Sequence, residues 1–211
     1  MGVFDFVVNS CKNRTIINTA MKDKIVFDIE TKNTFADVGG EENIEKLEVS
    51  VVGAYSYLKN EYYCFEEHEF NVLAEMMQNA GLIIGFASKR FDVPVLNKYF
   101  KFNLHAVPHY DILEQIENSW GRRISLDLLG EANLGMKKSG HGLDAIEWYR
   151  NGEMEKLKEY CKQDVRLTKE IFDLIRKQGY LWIPQRNIPQ MGKAEIVYKE
   201  EDHEAPQESL F

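Results

Sequence analysis

A chain of 211 residues can bury one full core, so a single domain with extensions is expected, and 44% hydrophobic with 12% aromatic residues excludes a disordered polymer. The apolar runs, such as Ile25-Val26-Phe27 and Leu82-Ile83-Ile84, are strand-sized and none approaches a membrane span; the first residues show no basic stretch leading into an apolar one, so no secretion signal is expected. The net charge of −8 does not by itself exclude a nucleic-acid partner, because residues 195–211 hold six acids against Lys199 alone and leave only −3 on the other 194 residues.

Three cysteines, Cys11, Cys64 and Cys161, are scattered and lack CxxC spacing, which fits free thiols in a reducing cytoplasm and gives no zinc site. In chain order, residues 1–22 have weak periodicity and read as a loosely attached leader. Lys24 to Ile29 reads as a buried strand ending in acids. Val49 to Leu58 and Tyr62 to Phe65, separated by the turn at Lys59-Asn60, complete a three-stranded meander. Phe70 to Met77 has helical spacing and Gly81 stops it, after which Leu82 to Gly85 is a short buried strand. A helix opens near Asp92, with Pro94 in its first turn, and runs to about Tyr99; Ala106 to Ile112 reads as a further strand.

The second half is helical. Ser125 is a good N-cap for a helix through about Ala132, Gly135 to Gly142 is a loop, and Leu143 to Tyr149 is a short helix broken at Asn151-Gly152. The longest helix is expected from about Glu153 to Lys177. A meander, an alternating β-α-β stretch and a helical half indicate an α/β domain over residues 23–180, with a mixed sheet and flanking helices. Residues 181–211 read as an extension and acidic tail.

Three segments carry chemistry. In Phe27-Asp28-Ile29-Glu30-Thr31, residues two apart on a strand share a face, so Asp28 and Glu30 project together. Two adjacent carboxylates repel unless a cation sits between them, which makes the pair a metal-site candidate; acids also end strands simply because the chain returns to solvent. Asp92 follows a buried strand and a polar loop and opens a helix, where it is equally suited to capping. Tyr160 and Asp164 are four apart on the long helix and share a face. An Asp in mid-helix needs a reason, and Lys156, Lys158 or Lys169 one turn away would supply an ordinary one.

Taken together and in order, FDIET, IGFASKRFDVPVL and YCKQDV resemble the three motifs of the tyrosine branch of the DEDD exonucleases, the proofreading-type 3′–5′ exonucleases with a ribonuclease-H-like fold. The histidine branch would place His at Glu159. The wording is most similar to the family-B polymerase exonuclease domains and to stand-alone bacterial ribonuclease-H-like exonucleases, over about Lys24 to Lys177. The resemblance implies two Mg²⁺ or Mn²⁺ ions held by Asp28, Glu30, Asp92 and Asp164, with the Tyr160 hydroxyl orienting the attacking water. It implies a single-stranded 3′ end as substrate, DNA favoured, with an RNA exonuclease or an idle nucleic-acid-binding adaptor as alternatives. Where those relatives carry Asn, this chain has Ala87, which predicts a lost polar contact to substrate with metal binding intact.

Other residues carry weaker expectations. Thr31 follows the acids of the first motif; Lys89, Arg90 and Lys137 are candidate phosphate contacts with solvated loops as the plainer reading. Phe86 and Phe91 are candidate base-stacking residues or core. Asp111 reads as a surface strand end, with support of the metal site as the alternative, and His105, His109 and His141 have no ligand spacing. Gln207-Glu208-Ser209-Leu210-Phe211 resembles the bacterial sliding-clamp-binding motif, in which Gln207, Leu210 and Phe211 would make the contacts; Glu208 departs from its usual aliphatic residue.

Overall fold

In the computed structural model, residues 22–136, 142–185 and 188–200 are described. The leader through residue 21, Lys137, His141 and the peptide with Gln207, Leu210 and Phe211 lie outside them.

Strand β1 (Lys24–Thr31) alternates its side chains between two separate cores. Ile25, Phe27 and Ile29 pack with Leu73 and Met77 of α2 (Phe70–Gln78) and Val93, Val95 and Leu96 of α3 (Asp92–Asn97), so the sheet is covered on that face. A short helix, α1 (Phe35–Val38), precedes these two in the chain. Val26 points the other way, into a core shared with the helices of the second half. β2 (Val49–Ser56) and β3 (Glu61–Phe65) follow β1 as an antiparallel meander, while β4 (Leu82–Gly85) and β5 (His109–Asp111) add in parallel on the other side. The order is β3-β2-β1-β4-β5, a mixed five-stranded sheet with helices on both faces, as expected for a ribonuclease-H-like fold.

The fifth strand is shorter than the run Ala106 to Ile112 predicts. Asp111 ends it by accepting from the Leu113 amide at 3.0 Å and the Glu114 amide at 3.3 Å, and so starts α4 (Ile112–Trp120). Gly121, at φ 81°, closes that helix in the left-handed region. Next come α5 (Leu126–Leu134), capped by Ser125, then α6 (Gly142–Arg150) and the 25-residue α7 (Met154–Gln178). Apolar residues of α7 at Val165, Leu167, Ile171, Phe172 and Ile175 join Val26 in the second core.

A hairpin, β6 (Tyr180–Gln185) and β7 (Ile188–Glu195), occupies the start of the extension. Leu181, Ile183, Ala194 and Ile196 are buried in the second core, so this part of the extension packs on the domain. The Asn133 side chain fastens β6 as a strand edge would, donating to the Trp182 carbonyl at 2.9 Å and accepting from the Trp182 amide at 2.8 Å. No helix among the described residues is long and apolar enough to cross a membrane.

Candidate active site

The alternation of β1 decides where its acids point. Asp28 and Glu30 continue the face of Val26, toward α7, while Ile29 between them faces the opposite core. A register shift between Glu30 and Thr31 bends the end of the strand beside them. β1, β4 and β5 run parallel, so the ends of all three open on the same edge of the sheet, the usual place for a site in such an arrangement. Asp92 arrives there through the loop after β4, and its Oδ1 accepts from the Ile29 amide at 3.1 Å, which ties the third acid to the strand bearing the first two.

α7 supplies the rest. It crosses β1 and β2 at Gly53, the residue paired with Asp28 in the sheet, where an added Cβ would lie 2.8 Å from Val165 Cγ2 and 3.0 Å from Cys161 Sγ. This close approach brings Tyr160 and Asp164 over the acids. Lys156, Lys158 and Lys169, the lysines that offered an ordinary reason for Asp164, are engaged with Glu153, with Glu66, and with Glu170 and Asp173.

Asp28, Glu30, Asp92, Tyr160 and Asp164 line one open cleft of about 790 Å³. Glu30, Asp92, Asp164 and Tyr160 are buried and Asp28 is partly so. Burial pushes the Asp92 carboxyl up to about 7, and the negative charges of Asp111 and Asp164 push the same way against the Ile29 hydrogen bond. Burial, and then the charges of Asp164, Glu30 and Asp28, hold the Tyr160 phenol well above its ordinary value, so it stays a neutral hydroxyl able to donate.

The donor set suits a hard cation. Carboxylate oxygens of Asp28 and Glu30 and the Cys161 sulfur all come within 4.8 Å of one another. Cys161 shares a hydrogen bond with Cys64 and is fully buried, and both keep its thiol protonated, which leaves the oxygens as ligands for Mg²⁺ or Mn²⁺. Clustered buried carboxylates, one of them forced toward its neutral form, are the electrostatic problem that divalent ions solve.

Of the other residues singled out from sequence, Phe86 and Phe91 line the cleft, Phe86 packing on the second core and Phe91 edge-on against Phe35 at 5.8 Å. Lys89 and Arg90 stand outside its lining, paired with Glu114 at 2.6 Å and Glu117 at 2.8 Å on α4. Thr31 is buried outside the lining too, donating to the Asn33 carbonyl at 2.9 Å. Asp111 is not a surface strand end. It is buried, and besides capping α4 it accepts from the Ala87 and Lys89 amides at 3.0 and 2.9 Å, fixing the loop that carries Asp92. Ala87 sits at φ 60°, a left-handed conformation in which Asn is more at ease, and its side chain lies in the cleft wall. The sequence had also given no sign of Arg122, Arg123, Ile183 and Pro184 at the cleft, since they come from a turn and a hairpin that only folding brings to it.

Comparison with known proteins gives a relative and a family. A DNA-directed DNA polymerase of Enterobacteria phage T3 is 23% identical over an alignment that takes in 80% of this chain and 29% of the polymerase, so the chain spans less than a third of that relative's length. Residues 25–176, from the first buried residues of β1 almost to the end of α7, match the RNase H superfamily, whose members are typically phosphodiester hydrolases dependent on divalent metals. On that match, with the five-stranded order that accompanies it, the chain belongs to the RNase H superfamily.

Proposed function

We propose that this chain is a 3′–5′ exonuclease of the tyrosine branch, removing nucleotides from single-stranded DNA ends with two Mg²⁺ or Mn²⁺ ions. The observation that carries the reading is the meeting, in one cleft, of four carboxylates from three distant segments with the Tyr160 hydroxyl among them. Asp28, Glu30, Asp92 and Asp164 would hold the ions. When bound, these supply Lewis-acid stabilisation of the phosphoryl oxygens and make a nearby water more acidic. The chain's own part is to fix that chemistry in place. β1 presents Asp28 and Glu30 on one face, the Ile29 amide orients Asp92, and Asp111 holds the loop behind it. Tyr160, kept neutral, would donate a hydrogen bond that orients the attacking water.

The likeness to a DNA polymerase supports DNA over RNA, and the C-terminal Gln207, Leu210 and Phe211 would tether the enzyme to a sliding clamp. The test is a 5′-labelled single strand incubated with Mg²⁺ or Mn²⁺, with EDTA as control and an RNA strand in parallel. The wild-type protein is expected to produce a ladder shortening from the 3′ end, faster on DNA. Asp28→Ala should lose at least about a hundredfold in turnover while keeping its fold by circular dichroism. Near-normal turnover of that variant would sink the assignment.

A further inference from the structure

The cleft that holds the acids is lined also by residues of a different chemistry. The turn between α4 and α5 contributes Arg122 and Ile124, the first turn of α5 contributes Leu128, and β6 contributes Ile183 and Pro184. The last two lie beyond residues 25–176, the segment that matches the superfamily. They are held at the cleft by Arg122, whose guanidinium donates to the Pro184 carbonyl at 2.7 Å, and by the Asn133 clasp on Trp182.

Two features of this wall are out of keeping with a purely structural surface. Leu128 is half exposed (50%) at the mouth of the cleft rather than turned into the core. Arg122 donates to a neutral carbonyl, whereas its neighbours Arg123 and Arg90 both pair with Glu117. A cation beside apolar side chains, in the same cleft as a cluster of carboxylates, matches one strand of nucleic acid: its phosphates carry the negative charge and its bases the flat apolar faces.

We propose that this wall, Arg122 with Ile124, Leu128 and Pro184, binds the nucleotides next to the one being removed, Arg122 on a backbone phosphate and the apolar residues against bases, while Ile183 beneath them is core. The β6–β7 hairpin thereby becomes part of the substrate site. The wall grips the strand, and the acids of the same cleft do the cutting. This rests on the nuclease reading above, and the two can fail separately.

The experiment compares Arg122→Gln and Leu128→Asp with wild type in two assays. One is the affinity for a fluorescein-labelled ten-nucleotide single strand, measured by anisotropy with Ca²⁺ in place of the catalytic ions. The other is Mn²⁺-dependent hydrolysis of the p-nitrophenyl ester of thymidine 5′-monophosphate, which is too short to reach past the acids. Each variant is expected to bind the strand about tenfold more weakly, as loss of one charge-assisted contact, or of one apolar contact replaced by a carboxylate that repels the phosphates, implies, while hydrolysing the ester at the wild-type rate. The dependence of strand affinity on salt should also fall in Arg122→Gln, because one fewer phosphate is neutralised.

Unchanged strand binding in both variants would overturn the proposal. So would an equal loss in both assays, which would make Arg122 a mere strap for the hairpin; Leu128→Asp, at an exposed position, guards against a folding artefact. A wild-type protein that binds the strand but hydrolyses neither substrate would refute the nuclease reading, with the wall still judged by the binding comparison.

Discussion

Asp92 is protonated up to about pH 7 in the folded protein without metal, against an ordinary carboxyl value of 3.8. Between those two values the folded chain keeps a proton that the unfolded chain releases. The metal-free protein therefore loses stability as pH rises through that window and carries the full cost of a buried charge above 7. A bound divalent ion reverses the balance, because the carboxylate then has a partner. Below pH 7 the ion must displace a proton, and its affinity should drop by up to about tenfold per pH unit. Thermal denaturation checks this: Mn²⁺ is expected to raise the melting temperature more at pH 8 than at pH 6. Asp92→Asn should be more stable than wild type without metal above pH 7, and nearly insensitive to Mn²⁺. An equal Mn²⁺ shift in that variant would remove Asp92 from the ligand set. The five residues that meet in the cleft were legible in the sequence through the order and combination of three motifs that resemble a known family, since each segment alone has an ordinary explanation. Asp111 was not, because its work is done on the amides of Ala87 and Lys89, which adjoin it only once β4 and β5 pair.

Among the elements, α7 against the sheet sets the geometry of the cleft. The helix comes close enough to place Tyr160 and Asp164 over Asp28 only because Gly53, beside Asp28 in the sheet, has no side chain under Cys161 and Val165. Gly53→Ala puts a methyl group 2.8 Å from Val165 Cγ2, and 3.2 Å from the Cys161 carbonyl, which belongs to the helix backbone and cannot swing aside. Overpacking of this kind costs about 1–3 kcal/mol. It should appear as a lower denaturation midpoint together with reduced turnover of both the thymidine ester and a long strand, since the catalytic side and not the strand wall has moved. Full turnover at a temperature where the variant is folded would show that the helix position has slack. The sequence announces β1, β2, β4 and α7 clearly, through buried runs and a long amphipathic period. α4 is hidden in it because Tyr110-Asp111-Ile112-Leu113 reads as one apolar run interrupted by an acid, when the acid is the cap that ends a strand and starts a helix. The hairpin is hidden because Ile183 and Ala194 become core only against helices α4, α5 and α7.

At the scale of the whole molecule, charge works against substrate capture. The chain carries −8, and a strand of nucleic acid approaching the cleft meets four carboxylates before any ions are bound. On the proposed function, capture would come from short-range features: the ions, the Arg122 wall, and any tether that raises the local concentration of 3′ ends. The acidic run Glu200-Glu201-Asp202 with Glu204 is a poor partner for DNA, and the apolar Leu210-Phe211 that follows has little to gain in water. A clamp-binding role for Gln207, Leu210 and Phe211 would reconcile the two, because a second attachment point turns encounter into an intramolecular event without new contacts at the cleft. Deleting residues 207–211 is then expected to leave hydrolysis of a short free oligonucleotide unchanged, and to slow hydrolysis of a clamp-loaded primed template at limiting enzyme by about tenfold or more. A deletion that slows both substrates equally, or neither, would detach the tail from clamp binding and leave Arg122 and the ions as the means of capture.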